Sequence, residues 1–139
     1  MKIVSKYLIY WAISFLVLTA TFRFGLSSFL EAGKYDLVIL IASLYAILIF
    51  IAGWVFGKAH GMKSIKFDLG LSFNLTGFVI FSLVSLLWFR AGMNSGTESI
   101  QSVYLAMLIW GIFLVTHIII FFITRKDTIK GIHKSDIFD

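Results

Sequence analysis

The stretch ISFLVLTATFRFGLSSFLE, residues 13 to 31, opens as an apolar run and closes with an arginine and a glutamate set among apolar residues. The run decides the fold class. Extended back to position 3, it reaches 22 with the length of a helix that crosses a hydrocarbon core of about 30 Å at 1.5 Å per residue. Three further runs of that kind follow at 37–57, 69–89 and 102–123.

The 139 residues are 60% hydrophobic and 14% charged, with a mean hydropathy of +0.97. Soluble domains carry more polar surface than this. The chain reads as an all-α integral membrane protein, a single transmembrane bundle over 1–139 with four transmembrane helices. There is no cysteine, which excludes disulfides and thiolate metal sites, and no proline, which favours uninterrupted spans. Lys2 and Lys6 ahead of the first run resemble a secretory signal, but Leu18 stands where a small residue is needed before Ala20. The segment therefore reads as a retained first helix.

Orientation follows from the basic flanks, which are held on the cytoplasmic side during insertion. Lys2, Lys6, Lys58, Lys63, Lys66, Arg125, Lys126, Lys130 and Lys134 fall on one side, and only Arg23, Lys34 and Arg90 on the other. Both termini are expected in the cytoplasm of a bacterial inner or plasma membrane. Anionic lipid accounts for the basic face, so no nucleic acid is implied.

Shifted by 67 positions, FRFGLSSFLE at 22–31 lies over FRAGMNSGTE at 89–98. Phe22, Arg23, Gly25, Ser28 and Glu31 match Phe89, Arg90, Gly92, Ser95 and Glu98 without a gap. KSIKFD at 63–68 loosely echoes KGIHKSD at 130–136. The pattern predicts two tandem parallel hairpin repeats, about 1–67 and about 68–139, related by an axis along the membrane normal.

The repeat supplies the candidate binding residues. Arg23 and Arg90 would form a pseudo-symmetric basic pair at the outer mouth, with Glu31 and Glu98 as ion-pair partners. The alternative is that each arginine ends a helix and reaches into the headgroups. Ser5, Ala12, Thr19 and Arg23 share one helical face, which turns Arg23 inward.

Gly53, Gly57 and Gly61 recur every four residues and read as a helix-packing stripe, within the chain or between copies. Asn74 and His117 lie at similar depth, so they are expected to meet in a hydrogen bond inside the membrane. A proton- or ion-responsive role for His117 is the functional alternative.

His60, His117 and His133 are too scattered for a metal or haem site, and no nucleophile elbow, Walker loop or HExxH is present. No enzyme activity, metal or cofactor is implied. The function expected from the sequence is a small ion or small-anion channel or transporter acting as an oligomer. The alternative is a non-catalytic accessory or assembly subunit, docked on another membrane protein. Its partners are the lipid bilayer and either further copies or another membrane protein.

Overall fold

The computed structural model describes residues 6–61 and 69–130, with side chains over 6–56 and 70–123. The tails of the two halves that echo each other, at 63–68 and 131–136, lie outside the described residues. So do Lys2, Lys63, Lys66, Lys134 and His133. The side chains of Lys58, His60, Arg125, Lys126 and Lys130 are likewise not described.

Four helices make up the described chain: α1 (Lys6–Glu31), α2 (Tyr35–Gly61), α3 (Leu69–Arg90) and α4 (Ile100–Lys130). All four are long and apolar enough to cross a membrane. α1 packs on α2 and α3, α3 packs on α4, and α2 touches α3. α1 and α4 make no close backbone approach, which leaves an open seam between them.

The helices run past the apolar runs. α1 continues eight residues beyond Arg23, because nothing in FRFGLSSFLE stops a helix. The stop comes at Gly33, whose φ of 67° is the left-handed conformation that glycine adopts without a Cβ penalty. Its amide bonds Leu30 O at 3.1 Å and the Lys34 amide bonds Phe29 O at 2.9 Å, closing the helix end. Gly92 (φ 69°) ends α3 in the same way, with bonds from Gly92 to Phe89 O and from Met93 to Trp88 O, each 3.1 Å.

The two glycines matched in the sequence echo therefore do different work. Gly92 stops a helix. Gly25 sits inside one, where a Cβ would meet the end of the Ile41 side chain, which would have to turn aside.

The core is aromatic. Trp11 and Phe15 of α1 and Phe73 of α3 are buried, with Trp110 of α4 and Phe81 of α3 packed against them. Trp11 lies 5.2 Å from Phe15 and 5.4 Å from Phe73 between ring centroids, tilted as aromatic quadrupoles prefer. Gly77 faces this cluster, and a Cβ there would make ordinary van der Waals contact with Trp110 at 3.5 Å and Phe15 at 3.6 Å.

α2 buries no residue in its span, and Ile39, Leu40, Phe50 and Trp54 are each more than 60% exposed. An aqueous protein does not leave this much apolar side chain on its surface. A lipid-facing one does.

Candidate functional site

Along α1 the buried residues are Trp11, Phe15, Thr19, Arg23 and Ser27, one every four positions, and so they form one stripe. Its first two members fill the aromatic core. Its last three are polar and lead toward the end where the 91–99 loop lies. Arg23 is therefore turned inward, at 5% exposure.

The facing stripe on α3 follows at a fixed register. The Trp11 indole donates to Phe73 O at 3.3 Å, and Phe15 faces Gly77. Continued at the same offset, Arg23 stands opposite Ser85, which is fully buried. Arg90 is five residues further along α3, about 7.5 Å higher. The two arginines matched by the echo thus have different surroundings: Arg23 is enclosed, whereas Arg90 is exposed at the end of α3.

The acidic residues are reached across the two halves. Arg23 Nη1 donates to Glu98 Oε2 at 3.1 Å, with both side chains 6% exposed. Glu98 Oε1 accepts from the Ser27 hydroxyl and from the Ser95 amide, the latter at 3.1 Å. Trp88 Nε1 in turn donates to Ser27 Oγ at 3.0 Å. Glu31 reaches the same loop, accepting from the Gly96 amide at 3.1 Å.

The Ser95-Gly-Thr-Glu98 turn explains why Glu98 is held there. A glutamate three residues after a serine folds back onto the serine amide, as in a capping box, and this fixes the carboxylate just ahead of α4. Both of its oxygens are engaged, Oε1 by two donors and Oε2 by one. Arg23 is engaged only in part: Nε and Nη2 are buried with no hydrogen-bond partner among the described residues, although its guanidinium stacks 5.4 Å from the Phe89 ring centroid. Ser82 and Ser85 also have buried hydroxyls without a partner among the described residues.

Thr19 bonds the Tyr45 hydroxyl at 2.9 Å, and Tyr45 stacks on Phe22 at 4.3 Å, so α2 contributes one polar group to this layer. Two clefts flank the network. One, of about 360 Å³, is bordered by Ser27, Glu31, Trp88 and Asn94. The other, of about 290 Å³, occupies the α1–α4 seam and is lined by Arg23, Glu98 and three hydroxyls.

A second polar cluster lies near the opposite end. Asn74 and His117 meet as expected, with the amide nitrogen 3.5 Å from His117 Nδ1. The shorter bond was not foreseen: Trp110 Nε1 donates to Asn74 Oδ1 at 2.7 Å. Asn74 thus bridges two residues of α4. A double-mutant cycle of Asn74→Leu and Trp110→Phe is expected to give a coupling of about 0.6 kcal/mol and at most about 1.7, the average and the maximum for hydrogen bonds between membrane helices. Unfolding the four proteins in mixed micelles reads it, and purely additive losses would show that the bond contributes nothing.

Of the glycine stripe, Gly53 faces Trp11, whose ring lies 3.6 Å from where its Cβ would be. It packs α2 on α1 within the chain. Gly57 and Gly61 belong to the last turns of α2.

Sequence reasoning missed Ser27, Trp88 and Tyr45. Ser27 was legible, because it continues the Thr19–Arg23 face by four residues, but the echo drew attention to the neighbouring Ser28, which is exposed. Trp88 and Tyr45 carry no sequence signal that separates them from interfacial aromatics. Among the described residues no cluster of histidine and carboxylate groups able to hold a metal occurs. No protein-family model, characterised protein or solved structure matches the chain.

Proposed function

We propose that the chain is an integral membrane protein, with both termini cytoplasmic and the 91–99 loop outside, that binds an anionic group at its outer end and serves transport as an oligomer. The observation that carries this reading is Arg23. A buried guanidinium with a single carboxylate contact keeps two nitrogens, Nε and Nη2, without an acceptor among the described residues, in a setting where each such group costs about 1 to 3 kcal/mol. Ionisable groups retained inside a membrane usually mark a ligand or ion path.

The interior of a single copy is filled by Trp11, Phe15, Phe73 and Trp110, so passage across the membrane is assigned to the surface between copies. The two-hairpin repeat belongs to the same proposal, with its halves joined at the outer end by the Arg23–Glu98 pair.

The test is ligand stabilisation. The purified protein is heated with phosphate, sulfate, carboxylates and anionic lipids in turn. A true ligand at one hundred times its Kd adds about 2.7 kcal/mol of stability. The gain should survive Arg90→Gln and vanish in Arg23→Gln. No stabilisation by any anion, soluble or lipidic, overturns the reading.

A second reading, the accessory or assembly subunit, is favoured by α2, which buries nothing along its span. The mass of the complex released intact from gently solubilised membranes separates the two. Multiples of 15.7 kDa alone support the self-sufficient oligomer. A mass that requires another polypeptide supports the accessory role.

A further inference from the structure

The α1–α4 seam differs from the other helix contacts. Because α1 and α4 make no close backbone approach, the cleft between them is walled by side chains. Its upper part is mixed, with Arg23, Glu98 and the Thr97, Ser99 and Ser102 hydroxyls facing Leu26 and Leu30. Its lower part is apolar, with Phe22, Phe81 and Ala106. Ala106 lies six residues into α4, so the cleft runs about 9 Å down that helix.

The upper part favours an acceptor. Glu98 is balanced by Arg23 and engaged by Ser27 and the Ser95 amide, whereas Arg23 Nε and Nη2 remain without a partner. α4 begins beside them at Ile100 with no acidic residue in its first turn, so the positive end of its dipole is not offset from within that turn. Glu98, which lines the same cleft, balances the charge of Arg23, so what this end offers an acceptor is N–H and O–H donors rather than net positive charge.

We propose that this seam is a lateral binding site for an amphiphile with a phosphate head, the phosphate meeting Arg23 and the start of α4 while the chain lies along Phe22, Phe81 and Ala106 and leaves into the bilayer. The proposal rests on the reading of Arg23 as an anion site and names its ligand class. An inorganic ion would occupy only the upper part. At about 290 Å³ the cleft is close to the lower end of small-ligand sites, enough for a head and the first part of a chain.

The test compares dodecyl phosphate with inorganic phosphate, titrated into the full-length protein in neutral detergent micelles. Arg23→Gln removes the donor but also unpairs Glu98, so Ala106→Trp, which fills the lower cleft and leaves the ion pair intact, carries the test independently. The expected result is that dodecyl phosphate binds, that each variant weakens it at least tenfold, and that inorganic phosphate neither binds nor competes at equal concentration.

If inorganic phosphate binds as well as dodecyl phosphate and Ala106→Trp leaves both unchanged, the amphiphile is overturned while the anion reading survives. If dodecyl phosphate binds equally to wild type and Ala106→Trp, the seam is the wrong place. If neither phosphate nor any other anion binds, both proposals fall together.

Discussion

Replacing Glu98 by alanine is expected to destabilise the folded chain by about 3 to 5 kcal/mol, because it leaves a buried charge without its partner. The two side chains are each 6% exposed and make a 3.1 Å contact, so little solvent is at hand to take over from the carboxylate. The loss also removes the acceptor of the Ser27 hydroxyl and the Ser95 amide, which hold the 91–99 loop against α1. Replacing both partners with apolar residues, Arg23→Met with Glu98→Leu, should recover most of the loss, since no uncompensated charge then remains. Unfolding in mixed micelles of rising anionic detergent content measures all three variants. A cost under about 1 kcal/mol for Glu98→Ala is what a solvated surface pair would give, and it would contradict the buried one.

Phe15→Ala should cost about 3 kcal/mol, the lower end of the range for removing a buried ring. The ring is 1% exposed, packs on Trp11 and Trp110 and faces Gly77, so it joins α1, α3 and α4 at one point. In a membrane the unfolded side chain is already out of water, so the cost arises from lost contacts and the remaining cavity rather than from hydration. That is why the lower end applies. Ile13, on the same helix but 55% exposed, is the control: its alanine variant should stay within about 0.5 kcal/mol of wild type. Equal losses at the two positions would mean that α1 does not present the Trp11–Ser27 face inward.

The four helices were legible because runs of about 20 apolar residues have few other physical uses. Their ends were less so. Arg23, at the edge of the first run, reads as a helix end, yet the helix stops only at Gly33, where the backbone needs a positive φ; polarity marks burial in lipid, whereas backbone chemistry marks termination. The inward face of Arg23 and the Asn74–His117 meeting were legible from spacing and depth alone.

The identity of Arg23's partner was less legible. Glu98 and Glu31 look equivalent in the echo, and only the α1–α3 register together with the Ser95–Glu98 turn brings Glu98 to Arg23 while Glu31 goes to Gly96. The open α1–α4 seam had no sequence signal at all, because it depends on which helices do not pack.

The chain has three arginines, Arg23, Arg90 and Arg125, so their side-chain Nε–H groups can be followed individually by nuclear magnetic resonance in micelles, with Arg23→Gln to assign the first. The Arg23 Nε–H is expected to exchange with water far more slowly than that of Arg90, and to be the signal that shifts when dodecyl phosphate is added. An Arg23 signal that exchanges as fast as that of Arg90 and ignores the ligand would contradict a buried arginine holding open donors for an anionic group.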